Sequence, residues 1–422
     1  MRILFISFFF PPYNSIGALR TGKTAKYLSK LGHDVRVVSA ADQNTVNASL
    51  PLELDPDRVN YAKWVNLRWP LDKFVGKGKT ADFGGAMSRQ GMLASRAAVL
   101  YRSLVYLPDL QAGWYPYARR AADRLIADWR PDVILSSSSP VTSLLLAHRL
   151  SNHHGIPWIG DLRDLWVDNQ DYQAPGWRKR LDVMMERRVM RSATAFVTVS
   201  EPLAETLRRK FGKPTQVVLN GFDACDYARD TNGAPRDGAL RLVFTGTIYA
   251  GRQTPEPLFH ALHLLGDKAK GVRVDFYGSP RGPVTAAPHY SGLEEIVTLH
   301  PSVPHDEIVS IQKSADVLLH LLWNDPAQPG VYNAKVFEYF GARRPILAVG
   351  YTGNVTAELV RERTAGAALD DPQEIAQTLD RWLDQRASGS IAALPQEASR
   401  GLSREEQTHV LHDFMLRVLG TS

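Results

Sequence analysis

The chain has one cysteine, Cys225, in 422 residues. An internal disulfide is therefore excluded, and the chain fits a reducing compartment. No apolar run reaches the roughly 18 residues of a transmembrane span. The first such run, Ile3–Phe10, is short, ends in Pro11-Pro12 and lacks a small-residue cleavage site. It reads as a buried strand rather than a signal peptide, and a cytoplasmic protein is expected. His148, His153, His154, His300, His305 and His320 show neither HExxH nor any other metal spacing. GxSxG is absent, as is any context for a cysteine nucleophile. Nothing places aromatic side chains on a sheet or groove for stacking on RNA, so nucleic acid is not an expected partner. No internal repeat and no long low-complexity tract occurs.

Much of what remains is ordinary. The chain is 44% hydrophobic and 22% charged, which is globular, and its length suits two large domains or three small ones. The charge is unevenly spread. Residues 1–220 carry 31 Lys and Arg against 19 Asp and Glu, and residues 221–422 carry 19 against 25, giving +12 and −6. A basic half favours an anionic membrane surface, a lipid phosphate or nucleic acid, unless it is merely a solvated face.

Apolar runs alternate with helical spacing throughout. Ile3–Phe10, Val35–Ser39, Asp132–Ser136, Pro157–Gly160 and Ala195–Val199 read as strands, with helices over 18–31, 140–153 and 178–191. A Gly/Asp/Asn-rich segment at 220–239 follows. The second series is Arg241–Thr245, Arg273–Tyr277, Val297–His300, Val317–Leu321 and Ile346–Val349. The pattern predicts an α/β protein of two doubly wound parallel domains. The expected boundaries are 1–220, 221–400 and a terminal helix over 401–422 that packs on its own domain or crosses back to the first. Ser403 and Glu406 have the spacing of a capping box.

Residues 59–120 break the rhythm. They interleave Trp64, Trp69, Phe74 and Trp114 with Arg68, Lys73, Lys77, Lys79, Arg89 and Arg96. An amphipathic insertion at a membrane interface or over an acceptor fits this content, and so does a packed helical hairpin.

Residues 330–350, GVYNAKVFEYFGARRPILAVG, are the most informative stretch. Gly330, Val331 and Tyr332 lead into a predicted helix over 333–340, closed by Gly341 before the strand Ile346–Val349. A helix N-terminus offers free N–H groups and partial positive charge to a phosphate. Lys335 and Glu338 lie three apart and share a face. A cation able to meet a phosphate, beside a carboxylate able to accept two ribose hydroxyls, suits a nucleoside diphosphate. A plain surface ion pair would have the same spacing. Gly246, after the first strand of the second series, permits close backbone approach, and Arg252 adds a cation for the same anion. Gly278 and Val303 end neighbouring strands and could edge a base. Asp161, Arg163 and Asp164 are expected just past a buried strand. There Asp161 or Asp164 could orient a hydroxyl, or the group could be a loop salt bridge.

Residues 17–24, GALRTGKT, match the phosphate-loop pattern GxxxxGK[ST]. The context disagrees, since helical spacing begins near Ala18 and would bury Gly22–Thr24 inside a helix. The remaining expectation is that the loop up to Gly17 faces ligand at the carboxyl end of the sheet.

In order along the chain, "ILFISFFFPPYNSIGALRTGKTAKYLSKLGHDVRVVS", "PWIGDLRDLW", "VSEPLAETL", "VVLNGFD", "VFTGTIYAGR", "VDFYG", "VPHDEI" and "AKVFEYFGARRPILAV" resemble the GT-B glycosyltransferases of family 4 type, within them the bacterial enzymes of polysaccharide and glycoconjugate assembly. The resemblance spans nearly the whole chain, with 45–120 matching poorly. It implies two Rossmann-like domains flanking the active site, a retaining reaction and no obligatory metal or other cofactor. By position, Arg252 and Lys335 resemble the diphosphate-binding pair and Glu338 the ribose-binding carboxylate. Residues Gly330–Tyr332 would present N–H groups to phosphate or sugar. The family's second Glu, eight positions before the ribose Glu, is Gly330 here, and 254–257, TPEP, replaces a usual Lys.

The expected partners are a nucleotide-sugar donor, with UDP favoured, a lipid-linked or other glycan acceptor, and an anionic membrane surface through the basic half. The catalytic set would be Asp161, Asp164, Arg252 and Lys335. A nucleotide-sugar epimerase of the same architecture, a non-catalytic sugar-nucleotide-binding scaffold and a P-loop NTPase are the alternatives.

Overall fold

The computed structural model describes residues 1–41, 49–67, 101, 104–169, 172, 174–228, 238–389 and 391–420. Trp69 and Phe74, with Arg68, Lys73, Lys77, Lys79, Arg89 and Arg96, lie outside the described residues.

Seven strands pair in parallel in the first half: β1 (Arg2–Ile6), β2 (Asp34–Ala40), β3 (Val59–Ala62), β4 (Val133–Ser138), β5 (Trp158–Leu162), β6 (Ala195–Thr198) and β7 (Thr215–Val217). Their order is β3-β2-β1-β4-β5-β6-β7. Six more follow: β8 (Leu240–Thr245), β9 (Val272–Tyr277), β10 (Val297–His300), β11 (Val317–Leu321), β12 (Ile346–Val349) and β13 (Gly366–Leu369). They form a second all-parallel sheet, ordered β10-β9-β8-β11-β12-β13. In each sheet the winding reverses beside the first strand, the kind of switch point where open α/β sheets hold ligands.

The longer helices are α1 (Ile16–Lys30), α2 (Tyr115–Trp129), α3 (Thr142–His154), α4 (Gly176–Arg191), α5 (Glu201–Phe211), α6 (Glu256–Leu264), α7 (His305–Ser314), α8 (Lys335–Ala342), α9 (Val355–Glu362), α10 (Pro372–Ala387) and α11 (Arg404–Leu419). Their ends follow ordinary capping chemistry. Ser15 accepts from the Ala18 N–H and Asn354 from those of Thr356 and Ala357, while Gly155 and Gly212 close their helices in the left-handed conformation. The capping box read at α11 forms: the Glu406 N–H donates to Ser403 Oγ, and the Ser403 N–H to Glu406 Oε2 at 3.0 Å.

The chain forms two compact units, Met1–Val218 with Thr408–Ser422, and Leu219–Gln407. Leu411, Phe414 and Met415 of α11 belong to the same core as Ile3, Phe5, Val35 and Val37 of the first unit. In the second unit, Leu242, Phe244, Val274 and Leu319 pack with Leu258, Leu262 and Leu379, while Val243, Leu318 and Ile346 pack with Val336, Phe337 and Phe340. Near-continuous apolar strands covered on both faces are the signature of such parallel sheets.

The structure corrects several expectations. β1 stops at Ile6, and Phe8 and Phe10 stay buried beyond the strand, ahead of Pro11-Pro12. The suspected insertion yields its ends to the sheet. Val59–Ala62 pairs with β2, and Trp114 leads into α2 as a fully buried side chain. Phe8 meets Trp64 and Trp114 edge-on, with ring centroids 5.3 and 5.5 Å away. Gly341 does not close α8. It lies inside the helix, where a Cβ would come 2.8 Å from the Phe222 and Tyr227 rings, and Arg343 in the left-handed region makes the cap.

Candidate functional site

The second unit gathers its polar groups where β8 ends. Gly246 follows Thr245 at φ +116°, a conformation that side chains rarely adopt. A Cβ there would stand 2.9 Å from Cε of Lys335, so the absent side chain leaves the lysine its path. Lys335 opens α8 with its N–H donating to Asn333 Oδ1, and its ammonium lies 3.3 Å from Glu338 Oε2. This local i,i+3 contact is the one the sequence spacing predicted. Both side chains keep some exposure, 33% for Lys335 and 15% for Glu338.

A network unseen in the sequence orients Glu338. Gln312 of α7 donates from Nε2 to Glu338 Oε2 at 3.3 Å and to Thr245 Oγ1 at 3.0 Å, while its Oε1 accepts from the Tyr227 hydroxyl at 2.8 Å. Burial first, then the charge of Glu338, pushes the Tyr227 pKa well above its ordinary value. Tyr227 therefore stays a neutral donor, which fixes which way the Gln312 amide points. Tyr339, fully buried, holds the Thr245 N–H at 3.1 Å. Gln312, Thr245 and Tyr227 stand 26, 93 and 111 positions from Glu338 and have no local signature.

Gly278, at φ +79°, lies beside Gly246, and the Ser279 hydroxyl donates to the Gly246 carbonyl at 2.8 Å. Val303 and Tyr332 pack against the cluster that holds Phe337 and Tyr339. Gly330 is buried, and the half-buried Val331 donates its N–H to Gln328 O. Arg252 is more engaged than expected. Its Nη1 donates to Asp325 Oδ2 at 2.7 Å, and its guanidinium lies 5.4 Å over the Trp323 ring. Asp325 was missed because only the fold brings it to Arg252.

In the first unit the acidic expectation changes. Asp161 is not past the strand but inside β5, paired in register with Ser137 of β4. It is 5% exposed, takes Arg20 Nε and Nη2 on its two oxygens at 3.1 and 2.8 Å, and accepts from Ser137 Oγ at 3.0 Å. With both oxygens engaged, Asp161 is a buried structural partner and not a free base for a hydroxyl. Asp164, two positions beyond the strand, is exposed.

Arg163 is anchored on the carbonyls of Ser138 and Ser139 at 3.0 and 2.9 Å and covers Gly17, where a Cβ would lie 2.6 Å from its guanidinium. Burial lowers its pKa and Arg20 adds to that, while Asp161 and Asp164 oppose it. The capped start of α1 and this guanidinium thus share one corner. The phosphate-loop reading fails here: Gly17–Thr24 is helical, and Gly22 packs on Pro11. Among the described residues no cluster of three or more His, Cys, Asp or Glu could hold a metal ion.

The glycosyl transferase 4-like domain family matches residues 17–221, and the glycosyl transferases group 1 family matches residues 239–385. Among curated proteins none matches the sequence. Sucrose-phosphate synthase from Thermosynechococcus elongatus is similar in structure at 15% identity, with TM-score 0.62 and all of both chains covered. Anabaena HepE in complex with UDP gives 16% identity and TM-score 0.59, again over both whole chains. A glycosyltransferase from Rickettsia africae gives 15% and 0.58, covering 100% of this chain and 99% of its own. At such identity these structures speak for the fold, and the two domain families carry the assignment. The chain belongs to the group 1, family 4 type of glycosyltransferases with the GT-B fold.

Proposed function

We propose that the protein transfers a sugar from a nucleoside diphosphate sugar, UDP-linked in the favoured case, to a hydroxyl of a lipid-linked or other glycan acceptor, with retention at the anomeric carbon. The carrying observation is the juxtaposition of Gly246, Lys335 and Glu338 at the start of α8. The Lys335 ammonium meets the diphosphate, and it gains most as charge develops on the leaving group. Glu338, held by Gln312, accepts the two ribose hydroxyls. Arg252 shares its guanidinium between Asp325 and the departing diphosphate. Gly278 and Val303 edge the base, and residues Gly330–Tyr332 line the sugar side. On the first unit Gly17, beside Arg163, supplies a further anion contact, and Asp164 orients the acceptor. The reaction as proposed uses no metal and no other cofactor. Family membership and the UDP held by Anabaena HepE support this reading. As proposed, the enzyme works at a bilayer surface in polysaccharide or glycolipid assembly; among the described residues no helix is long and apolar enough to cross a membrane.

Calorimetric titration with UDP, GDP, dTDP and ADP, each in EDTA and in Mg²⁺, tests the donor site. UDP binding in EDTA is the expected result. Binding of no diphosphate, or of ADP only with Mg²⁺, would overturn it.

A further inference from the structure

α4, GWRKRLDVMMERRVMR, sorts its charges by face. Its two acids point inward and are spent there. Asp182, 1% exposed, pairs with Arg178 at 2.9 Å and also receives the Tyr172 hydroxyl. Glu186, 2% exposed, is bound by Lys210, which also holds Asp168. Val189 and Met190 fill the core of the first unit.

The outward face is left with Lys179, Arg180, Arg187, Arg188 and Arg191, all exposed and with no exposed acid on the helix among them. None of these five cations has an ion-pair partner among the described residues. Trp177 and Met184 stand among them at 47% and 68% exposure, and Gly176, Lys179, Arg180, Val183 and Met184 line a shallow groove. Positions 177, 180, 184, 187 or 188 and 191 follow helical spacing, so apolar and basic side chains share one stripe. Arg178 reaches the carbonyls of Tyr106 and Pro108, both at 2.9 Å, and so ties to this helix the segment that exposes Leu104 and Leu107 at 60% and 40%.

A helix that buries its acids and exposes its bases forgoes surface ion pairs. Large apolar side chains in water gain nothing either. Both costs are recovered on one kind of surface: negative charge spread over a plane, with an apolar layer beneath it. An anionic bilayer offers that arrangement, with phosphates at the depth of the guanidinium groups and acyl chains at the depth of the Trp and Met side chains. A soluble anionic polymer would satisfy the cations and leave Trp177 and Met184 wet.

We infer that the outer face of α4, with Leu104 and Leu107, docks the first unit on an anionic lipid bilayer, inserting Trp177 and Met184 between headgroups. This deepens the membrane part of the proposed function and rests on that reading only for its purpose, since the face needs no donor to bind lipid.

The test is co-sedimentation of the full chain with vesicles of phosphatidylcholine alone and with a third of phosphatidylglycerol, at low and high salt. Binding to the anionic vesicles only, weakened by salt, is expected. The variant R180E/R187E/R188E should bind about a hundredfold more weakly or worse, at about fivefold for each cation withdrawn. The variant W177A/M184A should bind several-fold more weakly and keep the salt dependence. Circular dichroism and thermal denaturation of each variant report folding of the unit that carries α4, and UDP titration reports the donor site, which these residues lie outside. Equal binding to neutral vesicles, an unaffected triple variant, or binding to a soluble anionic polysaccharide in place of vesicles would overturn the inference. Vesicle binding with no UDP affinity would sink the donor reading and leave this one standing; UDP affinity with no vesicle binding would do the reverse.

Discussion

Arg20 and Lys335 are cations paired with a carboxylate, one in each unit, and their surroundings give them opposite fates. Arg20 and Asp161 are sealed, with side-chain exposures of 5% and 8%, and the pair is tied further into the protein: Arg20 Nη1 donates to the Val218 carbonyl and Asp161 Oδ2 accepts from Ser137 Oγ. Lys335 and Glu338 keep a single 3.3 Å contact and open edges beside a glycine turn. A closed network has no capacity left for a ligand, so its energy belongs to the fold. An open one contributes little to stability and can exchange its partner for substrate. Accessibility and remaining hydrogen-bond capacity, more than charge, separate scaffold from site.

The largest effect expected is at the sealed pair. Arg20→Ala strands a buried carboxylate, which costs about 3–5 kcal/mol. Urea denaturation should show that loss, while any variant that still folds keeps its UDP affinity. A loss below about 1 kcal/mol, the range of an exposed pair, would erase the distinction.

Sealing should also govern a neutral group. His320 of β11 is 2% exposed, and burial lowers its pKa to about 4. Below pH 6.5 the unfolded chain takes up a proton that the folded chain refuses until pH nears 4. Stability contributed by the neutral ring is therefore fully present above pH 6.5 and is lost as pH falls through that window. The loss amounts to about 3 kcal/mol for this one group. His320→Leu should flatten the pH dependence of denaturation by that amount between pH 6.5 and 4. An unchanged slope would mean that the ring is not sealed.

The open pair reverses the order of consequences. Lys335→Ala should change stability by no more than about 1 kcal/mol and lower UDP affinity about thirtyfold, or about 2 kcal/mol, the scale of a charged hydrogen bond. Calorimetry beside thermal denaturation reads both quantities. A variant with normal UDP affinity would leave the pair a mere surface contact.

What could be read from the sequence follows the same division. Lys335 and Glu338 were legible because three residues on a helix fix their separation whatever the fold does. The two sheets were legible because parallel strands buried on both faces leave apolar runs, and β10, β11 and β12 fall where the runs place them. The edge strands β3, β7 and β13 were not. They are three or four residues long, and β13 is made of Gly, Ala, Ala and Leu, which carry little strand preference. Asp161 was misplaced because the end of β5 is set by its register with Ser137 and Ser138, a tertiary fact. Gln312, Tyr227 and Asp325 escaped for the same reason. The charge sorting of α4 was hidden too, since its sequence shows mixed signs and only burial tells which ones face water.

The smallest expected effect is also the finest cut through the open site. Glu338 is assigned to the ribose and Lys335 to the diphosphate, yet they touch, so either could act by steering the other. Glu338→Ala separates the roles. If the carboxylate accepts ribose hydroxyls, UDP affinity falls about tenfold, within the range of hydrogen bonds to a charged group. Inorganic pyrophosphate, which has no ribose, should bind the variant as it binds the parent, or slightly better once a neighbouring negative charge is gone. If Glu338 only holds the ammonium in place, both ligands weaken together. Glu338→Gln keeps a carbonyl acceptor and can still receive Gln312 Nε2, so it should fall between parent and Ala for UDP. Equal losses for UDP and pyrophosphate in both variants would make Glu338 a positioning residue for Lys335.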